Sequence, residues 1–189
     1  MNGHGSAPDP SVPDEIAQGL IDLSLADITA DPLLSEAYGY WRAQRRGRKF
    51  PARADITPRG LNKLLRHTAL IAVIDHGADY EYRIVGDACV LAHGYTPQGQ
   101  RWSELDTSDS IYAQQCKKIY DTVVQDGRPI AAGGFIARKF FEPESGADLL
   151  HCLLLCLPLG EDASAVDYLI TFAIYRFDSA SLHITRRIL

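Results

Sequence analysis

Apolar positions along this chain recur first at helical spacing and later in long unbroken runs, and the change between the two predicts its elements. Residues 1–13 are rich in Gly, Pro and Ser and carry no periodicity, which predicts a flexible start. Ile16, Leu20, Leu23 and Leu25 make a partial apolar spacing that predicts a weak helix over 14–28. Asp31-Pro32 then provides an N-cap followed by proline at the first helical position. Leu34, Ala37, Tyr38 and Trp41 follow at spacings of three, one and three, a single helical face that ends at Gly47. Thr57-Pro58 repeats the start signal for a short helix bearing Leu61, Leu64 and Leu65. Residues 68–74 (TALIAVI) predict a buried strand. His76 to Asp79 turn the chain, and residues 80–85 alternate as a second strand, making a hairpin.

Asp87 begins a short helix that closes at Gly94, and a loop built around Gly99 and Trp102 follows over 95–108. Tyr112, Cys116, Ile119, Tyr120 and Val123 then mark a longer helix, stopped by Gly127 and Pro129. Three more strands are predicted at 130–140, 148–157 and 166–177. The loops between them are too short for parallel crossovers, so these strands form an antiparallel meander. No strand-helix-strand unit repeats and no phosphate-binding glycine motif occurs, which excludes a doubly wound nucleotide fold. The last two strands are apolar on both pleat faces, so both faces of the sheet must be covered. One is covered by the helices of the middle segment. The other needs the N-terminal helix, a second protomer, or both, because bare it would be a large exposed patch.

Composition adjusts this picture only slightly. The 189 residues suit one domain with a sizeable core. A formal net charge of −5 argues against nonspecific nucleic-acid binding, which needs a basic face. Neither a secretory leader nor an apolar run long enough to cross a bilayer is present, so a cytoplasmic protein is expected. The four cysteines, Cys89, Cys116, Cys152 and Cys156, include no closely spaced metal-binding pair. Cys152 and Cys156 share a strand face about 13 Å apart, too far for one metal or one disulfide. All four read as buried thiols.

The helix-helix-β-β-helices-β-β-β order resembles that of a PAS domain, and the motifs are similar to those of the PAS_5 branch common in Alphaproteobacteria. They are Tyr40-Trp41-Arg42, Pro51 with Arg53, Asp55 and Ile56, the Leu64-Leu65 pair, Tyr82-Arg83-Ile84-Val85-Gly86, and Gly99 to Leu105 with its Trp102. The resemblance covers about residues 33–177. It implies an α+β fold: a five-stranded antiparallel sheet of order 2-1-5-4-3 with helices on one face, here with an N-terminal helical extension. The domain is expected over 31–180, after an extension at 1–30 and before a tail at 181–189. The family implies signal sensing or protein contact rather than catalysis. The chain lacks the cysteine motif of flavin-binding light sensors, since Asp87-Ala88-Cys89-Val90 does not fit it, so a flavin adduct is not expected.

Several side chains are candidates for function. Tyr82, Cys89, His93, Trp102, Tyr112, Cys116, Phe135 and His151 are expected to line a pocket with a few polar tips among apolar walls. A filled core with hydrogen-bonded His and Tyr tips is the alternative. Leu34, Tyr38 and Trp41 are candidates for a homodimer interface, or for plain core. Pro51, Arg53 and Asp55 read as a structural clip in which proline fixes an extended segment. The basic run Arg42, Arg45, Arg46, Arg48 and Lys49 reads as a solvated helix end or as a surface for an acidic partner. With no kinase, cyclase or DNA-binding domain attached, output is expected to pass to a separate signalling kinase or regulator. Two other readings remain at this stage. An enzyme or carrier on a ketosteroid-isomerase-like cone would pair His93 or His151 with Asp106. A haem sensor would use His93 or His151 as ligand.

Overall fold

The computed structural model describes residues 19–107, 110–137, 149–162 and 164–176. In chain order the elements are β1 (Gly19–Leu23), α1 (Leu25–Ile28), α2 (Pro32–Gln44), α3 (Pro58–Leu61), β2 (Thr68–Ile74), β3 (Asp79–Val85), α4 (Asp87–His93), α5 (Ile111–Asp126), β4 (Ile130–Ala137), β5 (Leu149–Leu159) and β6 (Tyr168–Arg176). Short 3-10 turns at Arg53–Asp55, Asn62–His67 and Trp102–Glu104 join them. The strands form one antiparallel sheet in the order β1-β4-β5-β6-β2-β3. Its last five members reproduce the expected 2-1-5-4-3 order, which is the PAS order and not that of the cone-shaped alternative.

The sixth strand corrects two expectations. The sheet has six strands instead of five, and residues 19–23 of the expected weak helix are extended along β4. The reason lies in the opposing strand. A Cβ on Gly134 would stand 1.9 Å from the Gly19 carbonyl oxygen, and one on Gly133 would stand 2.7 Å from Leu23 Cδ1. Two glycines in β4 thus leave a slot that admits another backbone. Gln115 of α5 secures the strand by accepting from the Leu20 N–H at 2.6 Å and donating to the Leu20 carbonyl at 3.1 Å. The expected ends of the later strands, residues 138–140, 148 and 177, lie outside the described residues. β5 instead runs on to Leu159. β4 begins opposite Cys156, so Pro158 sits where β5 has a neighbour on one side only, a place that tolerates a missing N–H.

The two sheet faces are covered by different parts of the chain. Leu70, Leu153, Leu155, Leu157, Ile170, Phe172 and Ile174 share one face and are buried. Ile28, Leu34, Ala37 and Trp41 of α1 and α2 belong to the same core. The Trp41 Nε1 donates to the Pro158 carbonyl at 2.9 Å. Asp31 caps α2 by accepting from the Leu33 and Leu34 N–H groups at 2.9 and 3.2 Å, and its carboxylate also holds the Arg176 guanidinium at the end of β6. The chain's own N-terminal helices therefore cover this face. Leu34 and Trp41, expected as interface candidates, are buried within the same chain, while Tyr38 is half-buried and stacks on Trp41 at 6.0 Å.

The Pro51-Arg53-Asp55 clip ties α2 to the sheet. The Pro51 carbonyl accepts from the Gly160 N–H at 3.0 Å, and Arg53 donates to the Ile56 carbonyl at 3.0 Å. Asp55 accepts from the Ala52 N–H at 2.9 Å and from Arg48, which holds its carboxyl below the usual carboxylate range. Arg48 of the basic run is thus a member of the clip.

Candidate functional site

The helices on the other face do not fill it. A cavity of about 420 Å³ lies between the sheet, α4, α5 and the segment 95–107. Its floor is buried and drawn from distant parts of the chain: Ala69 on β2, Ile136 on β4, Leu154 on β5, and Thr171 and Ala173 on β6. Cys89 and Ala92 on α4, and Cys116 and Tyr120 on α5, close it from the helical side. The lining residues that remain exposed, Tyr95, Gln100, Glu104 and Asp106, mark the mouth.

Local sequence sets each group in place. Gly94 in the left-handed region ends α4, so that His93 is its last residue and the chain turns away to form the mouth. The α5 spacing puts Tyr112, Cys116 and Tyr120 on one face toward the sheet. The 95–107 segment is pinned to the β3 edge, where the Gly99 N–H donates to the Tyr82 carbonyl at 2.7 Å and the Tyr82 N–H to the Gln100 carbonyl at 3.1 Å. Ser103 Oγ donates to Asp79 at 2.7 Å. These bonds bring Trp102 under the loop to stack with Tyr82 at 6.4 Å and meet Tyr120 edge-on at 5.8 Å.

The polar tips inside the cavity are paired among themselves. His93 Nε2 and the Tyr175 hydroxyl are 2.9 Å apart, and the imidazole stacks on Tyr112 at 5.2 Å. The hydroxyls of Tyr82 and Tyr120 approach to 3.4 Å. Burial pushes His93 down to about 4 and holds it neutral, and it raises the phenols of Tyr82, Tyr112, Tyr120 and Tyr175 far above their ordinary range. Burial likewise lifts the Cys89 thiol to about 11 and the Cys116 thiol to about 12. Both thiols are therefore protonated at neutral pH and poor nucleophiles. The arrangement offers shape, aromatic faces and neutral hydrogen-bonding tips, which suits binding better than bond-breaking.

Of the eight expected pocket residues, six line this cavity: Tyr82, Cys89, His93, Trp102, Tyr112 and Cys116. Phe135 and His151 do not. They face each other across the β4–β5 register, rings 5.2 Å apart, on the opposite face of the sheet from Ile136 and Leu154. Strands that are apolar on both sides carry no alternation that would assign a face. The misplacement removes His151 as a partner for Asp106 and as a haem ligand inside the cavity, and His93 has its Nε2 engaged by Tyr175. The sequence reading missed Tyr120, Thr171 and Tyr175 as lining residues. Tyr120 was legible, since it lies one turn beyond Cys116 on the same helical face. Tyr175 was not, because its strand gives no parity signal.

A second, more open groove lies beside the β2–β3 turn, lined by His76, Tyr80, Lys117 and Asp121 among others. The Tyr80 hydroxyl donates to Asp121 at 2.7 Å and Lys117 pairs with the same carboxylate at 2.9 Å. No group of three or more His, Cys, Asp or Glu that could hold a metal ion occurs among the described residues. Nor is any described helix long and apolar enough to cross a membrane.

Among solved structures, the chain is similar to the LOV protein of Rhodobacter sphaeroides at 17% identity and a TM-score of 0.42, covering 65% of this chain and 70% of that one. It is similar to the PAS domain of Bordetella pertussis BvgS at 15% identity and a TM-score of 0.46, covering 68% and 93%. It is also similar to a sensory box histidine kinase/response regulator of Burkholderia thailandensis at 8% identity and a TM-score of 0.40, covering 69% and 91%. No curated protein matches. The sequence model of a PAS domain family, PAS_5, matches residues 30–172, most of the chain. The chain belongs to this PAS domain family.

Proposed function

We propose that this domain is a sensory or adaptor module in bacterial signal transduction, which binds a small ligand and passes its state to a separate partner protein such as a kinase or regulator. The observation that carries the reading is the cavity of about 420 Å³, within the size range of small-molecule sites and walled by aromatic and apolar side chains with a few polar tips. A filled core, the alternative reading, would leave no such space under α4 and α5. The ligand contacts both the helices and the central strands β2, β5 and β6, so its binding is felt across the sheet.

The sensing domain in this reading spans 31–180, with β1 as an added edge strand. Any self-association uses surfaces other than Leu34 and Trp41, which the chain buries for itself. Native mass spectrometry of freshly purified protein tests ligand and protomer number together. A retained small molecule, or a thermal shift with members of a small-molecule library, is expected. A bare mass together with no thermal shift from any compound overturns the sensing part.

A further inference from the structure

Among the described residues that line the cavity, the charged side chains are of one sign. Among the described residues that line it there is no Lys or Arg, while Glu104 and Asp106 stand at the mouth. Two of the described cations nearby pair with acids away from the cavity. Lys117 pairs with Asp121 and lies over the Tyr80 ring at 5.6 Å, at the second groove. Arg66 reaches Asp87 at 3.6 Å, while Arg101, exposed beside the mouth, lies near enough to Asp79 to help hold that carboxyl low. Inside, Tyr82, Trp102 and Tyr120 form a cluster of three ring systems below the mouth.

From this arrangement, and resting on the proposed ligand-binding function, we infer that the cavity selects a small organic cation, an amine carried on a flat apolar body, and rejects carboxylates and phosphates of the same shape. An anion entering here would lose hydration, meet no cationic side chain among the described lining residues and pass two carboxylates. A cationic amine is favoured by the same two carboxylates and by the negative faces of the rings, which attract ammonium groups. The flat body fits between rings already stacked or edge-on, and the neutral hydroxyls of Tyr82, Tyr120 and Tyr175 supply hydrogen bonds without charge. His93, held neutral by burial, adds no positive charge to the helical wall.

Three probes with one indole body separate the ligand classes: tryptamine (cation), tryptophol (neutral) and indole-3-propionate (anion). Their affinities for the full chain are measured at pH 7.5 by calorimetry. Tryptamine is expected to bind tightest and indole-3-propionate at least about tenfold more weakly, the factor two carboxylates at a partly solvated mouth can supply. The double substitution Glu104→Gln with Asp106→Asn is expected to shrink that ratio to about threefold or less. Glutamine at 104 keeps an acceptor for the Arg101 N–H, which Glu104 now accepts at 2.8 Å. Ala113→Phe, which adds a ring from the α5 wall, is expected to abolish binding of all three while the melting temperature stays close to that of the parent. Equal or tighter binding of indole-3-propionate overturns the charge selectivity and leaves the ligand-binding function standing. No binding by any probe, with a bare mass in the native spectrum, overturns both. Binding unaffected by Ala113→Phe places the amine elsewhere and overturns the inference.

Discussion

Trp41 and Pro158 are joined by a hydrogen bond of 2.9 Å from the indole Nε1 to the carbonyl, across 117 positions of sequence. The bond fixes α2 on the end of the β5–β6 pair, and the indole itself is 2% exposed. Trp41→Phe keeps most of the apolar contact and orphans a buried carbonyl, so it is expected to cost about 1–2 kcal/mol. Trp41→Ala adds a cavity and is expected to cost about 3–5 kcal/mol. Urea unfolding curves measure both. Because the indole packs inside its own chain, sedimentation should show the same protomer number for Trp41→Phe as for the parent. A change in protomer number at unchanged stability would return Trp41 to the role of an interface residue.

Gly86 gives a physical reason for the glycine that closes Tyr82-Arg83-Ile84-Val85-Gly86. Its φ of −68° is open to any residue, so conformational freedom is not the cause. Instead, a Cβ there would stand 2.4 Å from the carbonyl oxygens of both Leu65 and Arg66. The Gly86 N–H donates to the Thr68 carbonyl at 2.8 Å, so the backbone cannot easily back away. Gly86→Ala is expected to destabilise by about 2–3 kcal/mol, the cost of forcing atoms into a packed site. Gly39, with open space around its Cα, is the control, and Gly39→Ala in mid-helix is expected to stabilise by about 0.5–1 kcal/mol.

The Asp55–Arg48 pair makes a pH prediction at the acid end. Arg48 holds the Asp55 carboxyl below its ordinary 3.8 in the folded chain. As pH falls below that value, the unfolded chain takes up the proton first. The pair's stabilisation is therefore whole above about pH 4 and is lost on descending toward the folded value. Arg48→Gln should remove this part of the acid sensitivity at a cost of about 1 kcal/mol at neutral pH, since the pair is partly solvated. Acid unfolding followed by circular dichroism checks it. Identical acid midpoints for variant and parent would rule the pair out as a contributor.

How far the sequence revealed this fold depended on which residues carry a directional signal. The α2 face Leu34-Ala37-Tyr38-Trp41 has a 3.6 period that fixes both element and buried side, and α5 was legible for the same reason. The antiparallel order of β4, β5 and β6 followed from loop length alone. Faces within those strands did not follow, because Leu149 to Leu159 is nearly continuous apolar sequence, and so Phe135 and His151 were assigned to the wrong side. β1 was hidden more deeply. GLIDL has neither clean alternation nor flanking turns, and its partner is recognisable only by what β4 lacks, the two Cβ atoms of Gly133 and Gly134. A gap of that kind becomes visible only when the strands are placed side by side.

That gap can be tested directly. Gly134→Ala would put a methyl 1.9 Å from the Gly19 carbonyl oxygen, which only displacement of β1 relieves. Hydrogen exchange should show residues 20–23 losing protection while β5 and β6 keep theirs, with a global cost of about 1–3 kcal/mol. Gln115→Ala should loosen the same strand more mildly, since Leu20 loses two hydrogen bonds but not its place in the ladder. Protection at 20–23 unchanged in Gly134→Ala would mean that β1 is not held in the slot.

His93 makes a second pH prediction, in a different window. Its folded value is pushed down to about 4 from an ordinary 6.5 because burial disfavours the charged imidazolium. Below pH 6.5 the unfolded chain gains a proton that the folded chain refuses, so stability is whole above 6.5 and declines until about pH 4. A shift of this size amounts to about 2–3 kcal/mol across the window. His67, also lowered chiefly by burial, acts with the same sign. His93→Gln removes the titration while keeping an amide within reach of the Tyr175 hydroxyl. Urea unfolding at pH 7.5, 6, 5 and 4.5 should show the parent losing about 2–3 kcal/mol more than this variant on acidification. The Asp55 pair lies outside this range and does not blur the comparison. Parallel stability curves for parent and variant would mean that His93 takes up its proton in the folded chain, and the helical wall of the cavity would then turn cationic in mild acid.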